Sequence, residues 1–305
     1  MSVTPRIVSL IPSATEIVYL LGLGENLVGR SHDSNYPEEA LKKKVISSPA
    51  IESNLNSLEI DKAVKNLLHQ GTSVFHIDQK KLARLKPDII LTQELCKVCA
   101  PTFTQVHKAA KVLEGETKII SLEPHSIGDV FENIFQIAEH SGSNVNVRSI
   151  VERLKYRLDI VSTKHKNLRK PTVAIIEWLN PLMVSGHWVP EMVQLAGGQM
   201  VLSKPGDQSR YVDWYEVVST NPDVIIFAPC GFDIERTKKE IYLFKYRSGW
   251  ENLKAVKKQQ VYYMDADSYL TRSGPRLVDG VEILSRIIHP NLFGYPKTYE
   301  AQPVA

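Results

Sequence analysis

The sequence has no long hydrophobic run and no dense block of basic residues. No stretch approaches the roughly 18 apolar residues that indicate a membrane-spanning helix. Lysine and arginine number 37, and aspartate and glutamate 34, so the formal net charge is +3. The densest basic run, residues 42–44, is typical of a solvated surface. The composition therefore indicates neither a transmembrane helix nor binding to nucleic acid.

Several enzyme signatures are also missing. The sequence lacks the Gly-x-Ser-x-Gly elbow, the Gly-x-x-x-x-Gly-Lys-[Ser/Thr] phosphate loop and the His-Glu-x-x-His zinc pair. The Leu-Gly-Leu-Gly run at residues 21–24 lacks the third glycine of a dinucleotide fingerprint, and it follows a helix pattern instead of a strand. These absences set aside hydrolase and nucleotide chemistry. We expect a protein that is not an enzyme.

The first residues show no secretion signal. They lead directly into the strand pattern at residues 6–10, without a charged segment, an apolar segment and a small-residue cleavage site. We therefore expect a cytoplasmic location, in which the cysteines would be reduced. A periplasmic or surface-anchored location is the alternative if a leader has been trimmed.

Strand and helix patterns alternate in both halves of the chain, which predicts an α/β fold of two Rossmann-like lobes with central parallel sheets. Between the halves, residues 126–166 show only helical spacing, interrupted near residue 142. We read this stretch as two helices, the second of them a long connecting helix. The predicted division is an N-terminal lobe at 1–143, a connecting helix at 144–169 and a C-terminal lobe at 170–305.

One pattern occurs twice. Pro87 and Asp88 follow a helical stretch and precede a short apolar strand whose loop carries Cys96 and Cys99. Residues 221–227 repeat the arrangement, and their loop carries Cys230. Two lobes with matching strand ends would direct these loops at one shared cleft.

Ligands of open α/β sheets bind outside the carboxyl ends of the strands. The loops at the predicted strand ends therefore define a candidate ligand site. Its candidate ligand-binding residues are His32, Asp33, Tyr36, Glu177, Trp178, His187, Trp188, Phe232, Asp267, Tyr269 and Arg272.

The aromatic members of this set would suit a broad, planar ligand, although core packing is the alternative for some of them. His32 and His187 could each face a ligand, or each could only stabilise its own turn. The remaining histidines, His125 among them, lie on helices or peripheral turns and look structural.

The three cysteines define a second candidate site. The Cys96-x-x-Cys99 spacing suits one metal ion or a redox dithiol. Cys230, with His187 or His32, could complete four ligands if the two lobes close together. Packing near a strand end remains the alternative for each cysteine.

The motifs at residues 6–16, 21–24, 85–90, 191–198 and 221–225 are similar to those of the substrate-binding proteins for iron–siderophore and cobalamin importers. The resemblance spans residues 6–290. It implies two α/β lobes joined by a long backbone helix, with the ligand held between the lobes and little hinge motion.

Within that family, the segments around residues 32–33, 96–99, 186–190 and 229–232 resemble a branch without signal peptides that is labelled cobalamin-binding. Asp267 and Arg272 stand where cobalamin binders carry an acidic and a basic residue near the ligand, with one extra residue between them. The resemblance implies a soluble, non-catalytic protein that holds a corrinoid between its lobes. The alternatives are a ferric-siderophore or haem binder, and a metallochaperone or enzyme that uses the cysteine site.

Members that couple to an importer carry a surface glutamate on each lobe, which meets arginines of the permease. This sequence has Lys80 at the first position, and Tyr215 and Glu216 straddle the second. A reversed charge would oppose that docking, so a permease partner is in doubt and a monomer is favoured.

Overall fold

The computed structural model describes residues 5–52, 54–93, 106, 109 and 116–304. The chain divides into two compact units. Unit 1 consists of Met1–Leu55, Glu59–Pro124 and Gly128–Val151, and unit 2 of Asn56–Leu58, His125–Ile127 and Glu152–Ala305. Within the described residues, no helix is both long enough and apolar enough to cross a membrane.

The described strands are short, and most contain two to four residues. In chain order they are β1 (Ile7–Ser9), β2 (Leu27–Arg30), β3 (Lys44–Val45), β4 (Ser47–Pro49), β5 (Phe75–Ile77), β6 (Ile89–Thr92), β7 (Lys118–Ser121), β8 (Thr172–Trp178), β9 (Met183–Val184), β10 (Gln199–Met200), β11 (Arg210–Tyr211), β12 (Val224–Phe227), β13 (Val261–Met264) and β14 (Ala301–Pro303).

The helices vary more in length. The described α-helices are α1 (Pro12–Leu20), α2 (Ser57–His69), α3 (Gln79–Leu85), α4 (Ile127–Ser141), α5 (Val147–Lys164), α6 (Val189–Leu195), α7 (Trp214–Thr220), α8 (Ile234–Lys238), α9 (Tyr242–Lys245), α10 (Lys254–Lys257), α11 (Ala266–Tyr269), α12 (Leu277–Ile288) and α13 (Pro290–Phe293). Short 3-10 turns lie at Gly24–Asn26, Glu38–Lys42 and Trp250–Asn252.

Unit 1 is built on a parallel sheet in the order β3-β2-β1-β6-β7. Strand β6 is buried along its whole length. Continuous apolar runs of this kind are expected in a parallel sheet that is covered on both faces. Part of the core lies between this sheet and α3, where Val8, Ile90, Leu82 and Leu85 pack together.

Unit 2 has a mixed sheet in the order β11-β9-β8-β12-β13-β14, and β10 pairs with β8. Strands β8, β12 and β13 are parallel to one another, while β9, β11 and β14 run antiparallel to their neighbours. The prediction of a parallel sheet is therefore confirmed for the centre, and antiparallel strands extend it on both sides. Phe227 of β12 packs on Phe244 with 4.7 Å between ring centroids and on Trp250 with 6.2 Å.

The repeated Pro-Asp pattern has the same backbone geometry in both units. Lys86 and Asn221, the residues before each proline, adopt left-handed conformations with φ of 43° and 42° that end α3 and α7. Asp88 then accepts a hydrogen bond from the amide of Arg6, just before β1. Asp223 accepts one from the amide of Thr172, the first residue of β8. Each aspartate therefore ties its own strand to the strand paired beside it.

Three local expectations from the sequence are wrong. The spacing of Ser13 and Glu16 predicts a capping box, but α1 begins at Pro12 and places Ser13 inside the helix. The sequence predicts one helix over 233–244, whereas the structure has two short helices, α8 and α9. Residues 295–305 are expected to fray as a chain terminus, whereas Ala301–Pro303 form β14, which pairs with β13. The sequence also predicts a helix at 103–113, a range that lies almost wholly outside the described residues.

Candidate functional site

The carboxyl ends of β8, β12 and β13 lie together at one edge of the unit 2 sheet, because these strands are parallel neighbours. This edge is where α/β sheets bind ligands. Glu177 and Trp178 end β8, and the amide of Cys230 donates to the carbonyl of Glu177 at 3.0 Å. The structure thus brings several of the predicted residues of the second half together, and we call this region the unit 2 edge.

Trp178 and Phe232 form the aromatic part of the unit 2 edge. Their ring centroids are 5.2 Å apart, and Phe232 is almost fully buried whereas Trp178 is half-buried. The guanidinium of Arg236 also lies over the Phe232 ring, 4.7 Å from its centroid. Phe232 therefore supports the exposed part of Trp178, and Trp178 is the ring that a ligand can reach.

Trp178 also has a structural role that the sequence did not reveal. Its Nε1 donates to the carbonyl of Ser57 at 3.1 Å. The amide of Ser57 in turn donates to the buried carboxylate of Glu240, which also pairs with Arg236 at 3.2 Å. Ser57 begins α2, and a carboxylate at a helix N-terminus is electrostatically favourable. Nothing in the local sequence around Glu240 indicates this long-range contact.

Glu177 is a partly buried acidic group. Ser209 donates its hydroxyl to Oε2 of Glu177 at 3.0 Å, and the amide of Gly186 donates to that hydroxyl oxygen at 3.1 Å. Burial raises the pKa of Glu177, and the hydrogen bonds from Ser209 and Ser185 only partly oppose the rise. A raised pKa favours the neutral acid, which can donate a hydrogen bond to a ligand.

The loop after β13 carries a closed ion pair. Arg272 donates through Nη2 and Nε to both carboxylate oxygens of Asp267, at 2.6 and 3.2 Å. Nearby, the guanidinium of Arg276 lies 5.9 Å from the ring centroid of Tyr269. Burial, with the charge of Asp265, raises the pKa of Tyr269 to about 12, so its hydroxyl stays protonated. The loop therefore presents paired charges and a neutral phenol.

Trp188 is a core residue whose indole nitrogen donates a hydrogen bond. It is only 7% exposed, and its Nε1 donates to the carbonyl of Leu270 at 2.8 Å. This bond ties the start of α6 to the loop after β13. A Trp188 variant would therefore change the shape of the unit 2 edge as well as any direct ligand contact.

His187 lies beside His125, a histidine that the sequence indicates as structural. The ring centroids of His187 and His125 are 6.3 Å apart, and both residues belong to unit 2. Burial lowers the pKa of His187, and the nearby charge of His125 lowers it further. His125 follows β7 within four residues, so listing every strand-end loop would have found it.

Among the candidates in unit 1, His32 contacts its neighbour Asp33 and the strands β4 and β5. His32 contacts the hydroxyl of Ser47 through Nδ1 at 2.8 Å and the carboxylate of Asp33 through Nε2 at 3.2 Å. Its ring also lies 5.5 Å from that of Phe75. Tyr36 is the most exposed of the predicted aromatic residues, at 47%. A ligand-binding role for these three residues stays a prediction.

The proposed thiol site stays a prediction as well. Cys96 and Cys99 lie outside the described residues, and Cys230 is a free thiol. Within the part of the chain that the structure describes, no group of three or more His, Cys, Asp and Glu side chains is placed to hold a metal ion.

Glu216, one of the two residues that straddle the predicted docking position in unit 2, forms hydrogen bonds within its own unit. Glu216 accepts from the guanidinium of Arg210 at 3.0 Å and completes a capping box with the amide of Asp213. Tyr215 beside it is highly exposed, and so is Lys80 in unit 1. An altered acidic docking pair on the two units stays a prediction.

Comparisons with known proteins agree on the family. The family described as "Periplasmic binding protein" matches residues 7–268. YvrC, an ABC transporter substrate-binding lipoprotein of Bacillus subtilis, is 28% identical over 296 residues, covering 94% of this chain and 81% of that protein. The vitamin B12-binding protein of Vibrio cholerae is 24% identical over 288 residues, covering 91% and 86%.

A solved structure shows the same fold. A periplasmic heme-binding protein from Pseudomonas aeruginosa superposes with a TM-score of 0.73 at 16% identity, covering 99% of this chain and all of that one. The predicted α/β fold of the helical-backbone class is therefore confirmed.

The expectation of a cytoplasmic location is wrong. The matching family is that of periplasmic binding proteins, and YvrC is a lipoprotein. Both findings point to a location outside the cytoplasm. The expectation failed because it rested on the first residues alone.

The resemblance inferred from the motifs is confirmed by a family match that spans most of both units. The proteins it groups with bind small molecules for ABC transport systems. The chain therefore belongs to the periplasmic binding protein family, as a solute-binding protein of the ABC-importer type.

Proposed function

We propose that this chain binds a corrinoid such as cobalamin, for delivery to the permease of an ABC importer. The observation that carries the proposal is the pairing of charges at the unit 2 edge, which carries the half-buried ring of Trp178 and the ion pairs Arg272–Asp267 and Arg236–Glu240. The similarity to the Vibrio vitamin B12-binding protein along 91% of the chain supports the same ligand class.

The candidate ligands differ in their charge. A ferric catecholate carries several negative charges and haem carries two propionates, so each favours a site with available cations. At the unit 2 edge, Arg272 is paired with Asp267 and Arg236 with Glu240. Cobalamin displays uncharged amides around its ring, which suit an edge where these two arginines are already paired.

Polar groups of the edge suit those amides. The neutral form of the Glu177 carboxyl, which burial favours, and the protonated Tyr269 hydroxyl each offer one donor and an acceptor oxygen. The half-buried ring of Trp178 offers a face against which an apolar part of the ring system can pack. Together they combine apolar contact with a few fixed polar groups, as small-molecule sites usually do.

Calorimetric titration with cyanocobalamin, haemin and a ferric catecholate tests the proposal. We expect one cobalamin bound per chain, with weaker binding of both anionic ligands. Trp178→Ala should weaken cobalamin binding about tenfold or more, whereas Trp178→Phe should retain most of the affinity because it keeps a ring face.

Two controls separate ligand contact from folding. Trp178→Phe removes the hydrogen bond to Ser57 but keeps an aromatic ring, so a loss shared equally by both variants would assign the effect to that bond. Tyr246→Ala alters a highly exposed aromatic residue outside the unit 2 edge and should leave affinity unchanged. No binding of cobalamin by the folded wild-type protein would refute the proposal.

A further inference from the structure

The backbone around His187 is rigidly held. His187 has a left-handed conformation with φ of 53°, which non-glycine residues rarely adopt. Its amide donates to the carbonyl of Asp207 at 2.6 Å, and its carbonyl accepts from the amide of Gly206 at 3.0 Å. A Cβ on the preceding Gly186 would lie 2.4 Å from the carbonyl oxygen of Asp207, so only glycine fits there.

In contrast to the backbone, the imidazole ring of His187 is not fixed by a hydrogen bond to its Nδ1 atom within the described residues. Nδ1 of His187 is buried and has no hydrogen-bond partner among the described residues. Buried polar atoms are nearly always satisfied, and an exception calls for an explanation such as a bound group. A half-turn about the Cβ–Cγ bond exchanges Nδ1 with Cδ2 and Nε2 with Cε1, so the ring can present a different nitrogen without moving the backbone.

His125 lies beside this ring on a fixed segment. The amide of Ile127, two residues further on, donates to Oε2 of Glu191 at 2.9 Å. The exposed imidazole of His125 lies with its centroid 6.3 Å from that of His187, at an interplanar angle of 42°.

Two imidazoles alone do not make a metal-ion site. No third His, Cys, Asp or Glu of the described chain joins them in a metal-binding cluster, and protein sites for transition metals usually need three or four ligands. A metal that arrives with its own equatorial ligands needs only one more donor. The corrin ring supplies four nitrogens to cobalt and leaves the axial positions open to such a donor.

We propose that His187 supplies an axial imidazole to the cobalt of the bound corrinoid and displaces the water or nucleotide base that holds that axial position in the free corrinoid, with His125 as its positioning neighbour. This inference rests on the corrinoid function proposed above. Imidazole nitrogen is a suitable ligand for cobalt, and the clamped turn fixes the direction from which the nitrogen approaches.

Electron paramagnetic resonance of the protein with cob(II)inamide tests this directly. Cobinamide lacks the nucleotide base of cobalamin, so any axial nitrogen must come from the protein. We expect hyperfine lines split in three by one axial nitrogen, changing to two in protein grown with histidine labelled with the heavy nitrogen isotope. His187→Asn should abolish the splitting, since asparagine tolerates the left-handed backbone and lacks an imidazole.

The controls separate this inference from the proposed function. His69→Ala, an exposed histidine of α2, should keep the splitting, and thermal unfolding of each variant checks that it folds. Bound cobinamide without nitrogen splitting, or splitting that persists in His187→Asn, would overturn the axial ligand while leaving corrinoid binding intact. A wild-type protein that binds neither cobinamide nor cobalamin would overturn both.

Discussion

Glu177 shows how one residue at the end of a strand acquires chemistry from its surroundings. The sequence marks it only as an acid after a buried run, and its position at the ligand-binding edge follows from that run. Its raised pKa could not be predicted, because it follows from burial of the carboxyl in the fold, where Ser209, distant in sequence, donates to it.

Replacing Glu177 with glutamine should stabilise the protein at higher pH. Because burial raises the pKa of Glu177 in the folded state, the wild type loses stability as pH rises through that pKa. Glutamine carries no such charge, so the melting temperature of Glu177→Gln should exceed that of the wild type by about 2 °C or more at pH ~8 and by less at pH ~4. Equal differences at both pH values would contradict this account.

The Asp267–Arg272 pair should control which ligand charge is accepted. Asp267→Asn leaves the guanidinium of Arg272 without its carboxylate partner, so the unit 2 edge gains positive charge. We expect the ratio of haem affinity to cobalamin affinity to rise about fivefold or more, measured by calorimetry. The control is Asp159→Asn, an exposed aspartate of α5. An unchanged ratio would show that this pair does not contribute to selectivity.

At the scale of elements, the Pro-Asp turn is the clearest match between sequence and structure. Asp223 accepts from the amide and hydroxyl of Thr172 and from Arg169, while the exposed Asp88 accepts from the amide of Arg6. Burial is the largest single influence on Asp223 and opposes its ionisation, but its hydrogen bonds and Arg169 together lower its pKa.

Asp223→Ala should therefore destabilise the protein by about 2 kcal/mol near neutral pH, since hydrogen bonds to charged groups contribute more than neutral ones. A lowered pKa gives stability that is present above the ordinary aspartate value and lost as pH falls. The difference from wild type in chemical denaturation should thus shrink below pH ~4. Asp88→Ala is the matched variant and should cost less. A difference that grows on acidification would contradict the assignment.

Element prediction succeeded where the apolar pattern was long. Strands β6, β8 and β12 are continuous buried runs, and α4 and α5 repeat apolar residues at helical spacing. Strands β3, β10 and β11 contain two residues each, which is too short for a periodic pattern. Strand β14 is defined by its pairing with β13, which no local sequence pattern reveals.

At the scale of the whole molecule, the family followed from several motifs spread over both units, whereas the site followed only in part. Strand-end positions predicted Trp178 and Phe232, which the structure brings into contact. They did not predict Glu240, which reaches Ser57 across 183 positions of sequence, or the neighbouring rings of His125 and His187. Contacts between residues so distant in the chain depend on topology, which composition and local spacing do not encode.

The central claim is that the solute is a corrinoid. The most direct test is competition by equilibrium dialysis, in which the protein meets equal concentrations of cyanocobalamin, haemin and a ferric catecholate. We predict that cyanocobalamin is retained at one molecule per chain and that the other two remain free. Retention of haemin or the ferric catecholate in its place would contradict the account.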